Sequence, residues 1–214
     1  FILGAIATGN LDPVVWRKVR IDRVVLDVSA DYLCIAGEHV PMSEHVAQAA
    51  VDSLGAILPT PAIVDAIEAA AIILPLPTWA PPAGQSRAAQ TSSAVFALCE
   101  ERTRQLFEAR GLTPEQLVAG HRKDVVLARF MPPGVVVIYG ARWPDGRRLQ
   151  PLYPIPGGNP GHEDEYEDYS HAVRAVRDAC LLDGRPASVR AILSGPLAHL
   201  LGGPVAMARY PLAP

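Results

Sequence analysis

The sequence predicts an α+β fold: a mainly antiparallel sheet with helices packed on one side, in a single domain spanning residues 1–214. Three observations carry this. Strand-like runs open the chain, helical periodicity fills the middle, and strands with turn signals return after residue 120. No repeat or linker divides the sequence. Half of the 214 residues are hydrophobic, which supplies one substantial core.

Residues 1–18 read as an N-terminal arm, apolar and broken by Gly9, Asn10, Asp12 and Pro13. Val19 to Val28 alternates as a strand, and Tyr32 to Ile35 follows as a second across a short hairpin connection. Ser43 is a helix cap. Val46, Ala47, Ala50, Val51 and Leu54 repeat behind it at helical spacing, and Gly55 ends the helix. Thr60 caps the next, with Pro61 at its first position and Ile63, Val64 and Ile67 on its buried face. Leu74 to Gly84 is Pro-rich, and Trp79 within it is expected to plug a groove or cover a core.

Ser86 to Arg110 reads as the longest helix, stopped by Gly111, and Thr113 caps a short helix to Val118. Val125 to Leu127 and Val135 to Tyr139 read as strands, the latter continuous and apolar as in a buried central strand. Trp143-Pro144-Asp145-Gly146 is a turn, and a return strand spans Arg148 to Tyr153. Residues 154–167 form a long loop rich in Gly, Pro and acid. His171 to Arg177 alternates imperfectly, Asp183-Gly184 marks a hairpin, and Ser188 caps a last helix.

Charged residues make up 19% and the net charge is −3, which argues against nucleic-acid binding. No apolar run is long enough to span a membrane. The chain opens on Phe1, and processing that removes a signal peptide would explain it, a lean towards a secreted or periplasmic location. Three cysteines give no disulfide framework or zinc spacing, so Cys34, Cys99 and Cys180 read as core or half-buried thiols.

No GxSxG elbow, P-loop, GxGxxG or HExxH occurs. Candidates for chemistry stand at two strand entries. Asp168-Tyr169-Ser170-His171 offers His171 as general base, because imidazole titrates near neutrality. Alternation would put Tyr169 on the same face, to orient the ring or donate to an oxyanion, and turn Ser170 away. Gly120-His121-Arg122-Lys123-Asp124 offers His121, Lys123 to stabilise negative charge, and Asp124 to orient a histidine. The two stretches are expected to be neighbours. His121, Asp124 and His171 would form a ligand set for a divalent metal such as zinc. His39 and His45 read as surface residues near a helix start.

Several segments resemble a group of bacterial proteins without an assigned activity: Asp31-Tyr32-Leu33, Val40-Pro41-Met42-Ser43, Leu58-Pro59-Thr60, Ala119 to Val126, and Asp168 to His171. The resemblance implies one domain of a shared type. Ala172 stands where that group leads one to expect glycine. Ser170-His171-Ala172-Val173 is also loosely similar to the histidine strand of papain-like cell-wall peptidases, but the cysteine-bearing helix start of those enzymes is absent.

The functional expectation is a hydrolase acting on amide or peptide bonds of a bacterial polymer or small molecule, centred on His171. The alternative is a non-catalytic envelope module that binds glycan or peptide on Trp79, Trp143 and Tyr153.

Overall fold

The computed structural model describes residues 2–77, 86–154, 158 and 161–211. In chain order the elements begin with helix α1 (Ile2–Ala7), strands β1 (Trp16–Ile21), β2 (Val24–Ser29), β3 (Cys34–Ile35) and β4 (Glu38–His39), helix α2 (Glu44–Ser53) and strand β5 (Ala56–Ile57). Helix α3 (Pro61–Ala70), strand β6 (Ile72–Ile73), and helices α4 (Arg87–Gln90) and α5 (Ser93–Ala109) follow. Then come β7 (Val118–Ala119), β8 (Lys123–Val125), β9 (Val135–Val136), β10 (Ile138–Arg142), β11 (Arg148–Tyr153) and β12 (His162–Glu163). The chain closes with β13 (His171–Ala172), β14 (Val176–Arg177), β15 (Ala179–Leu182), β16 (Arg185–Ser188) and α6 (Val189–Ser194).

The fold is α+β with mainly antiparallel pairing, as the sequence predicts. The largest sheet is built on β2. One edge of β2 pairs with β1 along its whole length, from Trp16 opposite Ser29 to Ile21 opposite Val24. Its other edge is shared by β15, with Leu181 opposite Val25, and β14, with Val176 opposite Val28. Val24, Leu26 and Val28 alternate into the core, each worth about 1.5–3 kcal/mol of apolar burial. The second sheet runs β11-β10-β8-β13. Its β13 pairs with β8 in parallel and sets His171 opposite Lys123, so the two stretches expected to be neighbours are adjacent strands. Helix α3 serves both cores: Ile63 and Ile67 pack with Leu26 and Val176, and Val64 packs with Val125 and Ile138.

Several local expectations change. The arm is a short helix, α1, followed by β1 from Trp16. The single strand from Val19 to Val28 is a hairpin, because Asp22 adopts φ 50° and reverses the chain. Tyr32 to Ile35 yields only the two residues of β3, paired with β4. The long helix breaks at Thr91, and Ser92 caps the second piece by accepting from Val95 N. Residues 114–116 form a turn instead of a helix. The run from Val135 to Tyr139 is divided between β9 and β10, which pair with different strands. The loop at 154–167 contains β12, paired with β9. Trp79 lies outside the described residues. The helices capped by Thr60 and Ser188 and the turn at Asp183-Gly184 form where the sequence places them.

All three cysteines are free, Cys34 half-buried and the other two buried. Among the described residues no helix is long and apolar enough to cross a membrane.

Candidate metal centre and its neighbours

The chain leaves β2 at Ser29 and turns, so Asp31 emerges at the end of the central strand. His39 is delivered by the hairpin of β3 and β4. Its turn uses Ala36 and Gly37, both at positive φ, and Asp12 fixes it by accepting their backbone N–H groups at 3.0 and 2.7 Å. His121 arrives directly after Gly120, whose φ of 93° swings the chain before β8 begins. The three side chains meet: His39 Nε2 lies 3.1 Å from Asp31 Oδ2, and His121 Nε2 lies 3.2 Å from Asp31 Oδ1. One donor atom from each falls within 4.8 Å of the others.

Surrounding groups fix this arrangement. Glu100, on α5, accepts from His39 N at 3.0 Å and lies 3.0 Å from His39 Nδ1. A carboxylate there demands a proton on Nδ1, which leaves Nε2 for Asp31. Arg122 is fully buried and holds Glu100 in turn. It donates to that carboxylate, to Thr103 Oγ1 at 3.1 Å and to its neighbour's carbonyl, His121 O, at 2.7 Å. Tyr32 and Phe107 stack edge-on to the His121 ring, with centroids at 5.0 and 5.6 Å.

The electrostatics are those of a centre that attracts a cation. Burial opposes charge on Asp31, but His39 and His121 hold its carboxyl well below the usual range. Burial also opposes charge on His39, but Asp31 and Glu100 hold its pKa well above the ordinary value, so a metal at Nε2 would have to displace a proton there. Burial pushes His121 down to about 4 against the pull of Asp31, so this ring is neutral at pH 7. His121 is fully buried, and neither ring nitrogen makes an aligned hydrogen bond. Asp31 and His39 line a cavity of about 430 Å³ whose walls include Thr103, Arg104, Phe107 and Leu112. Two imidazoles and a carboxylate beside a cavity match a catalytic zinc set, which keeps one position open.

The expected ligand set His121, Asp124 and His171 does not converge. The turn at Gly120 sends His121 to Asp31. Asp124, one strand position beyond Lys123, points to Tyr32 and Arg174: it accepts from Tyr32 Oη at 3.1 Å, and Arg174 Nε lies 3.7 Å away. Burial raises the Asp124 carboxyl to about 7 against the pull of Arg174. His171 belongs to another group. Asp168 Oδ2 lies 3.9 Å from both His171 Nε2 and Lys123 Nζ and accepts from Tyr166 Oη at 3.1 Å, and Ser170 Oγ donates to Asp168 Oδ1. Residues 169 and 170 form a turn, so strand alternation does not apply there. Ser170 joins His171 around Asp168, and Tyr169 packs among Leu76, Val95 and Cys99. Burial lowers His171 to about 4 despite Asp168.

Compared with models of known families, with curated proteins and with solved structures, the chain matches none.

Sequence reasoning placed His39 on the surface, whereas it is buried, and it passed over Asp31 and Glu100 as ligating or supporting groups. A signal for Glu100 was present. It shares the buried stripe of α5 with Val95, Cys99 and Thr103, and a carboxylate on an apolar stripe requires a buried partner.

Proposed function

We propose that this protein is a metal-dependent hydrolase working at Asp31, His39 and His121, on the amide or peptide class of substrate that the sequence suggests. The observation that carries the reading is the Asp31 carboxylate, set 3.1 and 3.2 Å from two imidazole nitrogens at the wall of a cavity. A divalent ion bound there supplies a water of lowered pKa and polarises a carbonyl. The remaining roles belong to the chain. His39 and His121 present Nε2, and Glu100 holds His39 in the required tautomer. Arg122 keeps Glu100 ionised and in place, its carboxyl lowered to about 2 by His39 and Arg122 against the effect of burial. Arg104, on the cavity wall, is a cationic group available to orient a substrate carbonyl.

The test is a set of peptide and amide substrates assayed with the zinc-loaded protein and with the His39→Ala and His171→Ala variants. Turnover that is lost in His39→Ala and kept in folded His171→Ala supports the reading. Turnover that survives His39→Ala and disappears in His171→Ala would move the chemistry to the group around Asp168.

A further inference from the structure

A second convergence of ligand-type groups lies at the start of α2, on residues the proposed hydrolytic centre does not use. His45 Nδ1 is 2.7 Å from Pro211 O. A carbonyl only accepts, so Nδ1 carries the proton, and Nε2 of the neutral ring keeps its lone pair. That lone pair faces another acceptor, Asp164 Oδ2, at 3.4 Å. Two acceptors this close require a positive charge between or upon them.

Glu44 adds a third donor. Its residue is only 2% exposed, its Oε2 is buried with no hydrogen-bond partner, and its Oε1 is 4.0 Å from His45 Nδ1. Burial pushes this carboxyl up to about 7, and Asp164 adds to the effect. A proton on His45 would answer Asp164 but leave Glu44 Oε2 bare. A divalent cation would bring a counter-charge to all three residues, each of which offers one donor atom within 4.8 Å of the others.

We propose that Glu44, His45 and Asp164 hold a second divalent cation, which ties the start of α2 to the segment leading into β13. The surrounding geometry shows what such a tie would fasten. Glu44 N donates to Asp164 O at 3.3 Å, and Ser43 N donates to Glu167 Oε2 at 3.0 Å, so this segment already lies across the helix start. The same segment carries Tyr166 and Asp168, which meet His171 and Lys123. With one imidazole and two carboxylates, the set suits zinc or manganese better than magnesium, which favours all-oxygen, partly hydrated sites.

The experiment is a zinc titration, repeated with manganese, of the chelator-stripped full chain at pH 7.5, with bound metal counted after gel filtration. The expected result is two equivalents for the wild type, one for His39→Ala, one for His45→Ala, and none for the double variant. Asp164→Asn, at a half-exposed position, repeats the loss without removing a ring, and circular dichroism confirms that each variant is folded. One equivalent lost in His45→Ala and Asp164→Asn but kept in His39→Ala would support this second site and remove the first. A metal count that neither His45→Ala nor Asp164→Asn changes would overturn the proposal, whatever His39→Ala does.

Discussion

Arg174 sits over the ring of Tyr32, its Cζ 4.2 Å from the centroid, while the Tyr32 hydroxyl donates to the carboxylate that Arg174 faces, Asp124. The guanidinium is buried and also donates to Ser29 O and Val118 O, both at 2.8 Å. It therefore joins the end of β2 to β7 and β8. Arg174→Met removes these bonds and leaves Asp124 without its cation. We expect a loss of about 3–5 kcal/mol, read from urea unfolding. Arg174→Lys should recover only part of it, since an ammonium cannot reach both carbonyls as a fork does. A loss below about 1 kcal/mol for Arg174→Met would contradict this role.

His171 gives a pH dependence of definite sign. Its folded pKa, about 4, lies below the ordinary value of about 6.5. Below pH 6.5 the unfolded chain takes up a proton that the folded chain refuses. Stability from this group is complete above pH 6.5 and lost as the pH falls towards 4. The difference is worth about 3 kcal/mol. His171→Gln lacks this term, so its stability relative to the wild type should rise by about that amount between pH 7 and 4. Unfolding midpoints across this range provide the check, and a constant gap between the two proteins would show that the ring is not held neutral.

Gly120 aims His121. A β-carbon there would lie 2.7 Å from Leu74 O and 3.0 Å from Arg142 Cγ, with φ at 93°. Gly120→Ala is expected to cost about 2 kcal/mol or more and to weaken metal binding. Gly111→Ala is the control: φ is 59°, but nothing lies within 4 Å of the added carbon, so it should pay the backbone strain alone, about 1–2 kcal/mol. Equal losses in the two variants would mean that the contact with Leu74 yields easily.

Glu100→Gln keeps the shape of the group that holds His39 but removes its charge. Zinc affinity should fall about 10- to 100-fold, as for other outer partners of metal-bound histidine. Competition with a chromophoric chelator measures it. An affinity unchanged within about threefold would separate Glu100 from the centre.

The sequence made the secondary structure legible where one local rule governs. Thr60 with Pro61, Ser188, and Asp183-Gly184 behave as their types require. It made the adjacency of His171 and Lys123 legible as well, through strand pairing that no local rule specifies, whereas Ser170, expected to turn away, joins them on Asp168. The metal candidate was not legible. Alternation assumes a regular strand, and it failed at Gly120 and at the turn before His171, where positive φ or a bend resets the face. Asp31, His39 and Glu100 come from a strand exit, a short hairpin and a helix interior, and only tertiary packing brings them into register.

Every side chain of the Asp31 centre, including Glu100 and Arg122, precedes residue 125, yet one edge of β2, which delivers Asp31, pairs only with strands that begin at Val176. During synthesis the nascent chain therefore exposes the full set of donors before one side of the frame that aims them exists. Ion capture at the proposed centre would therefore follow the synthesis of β14 and β15, and a chain released before them would carry the ligands without the affinity.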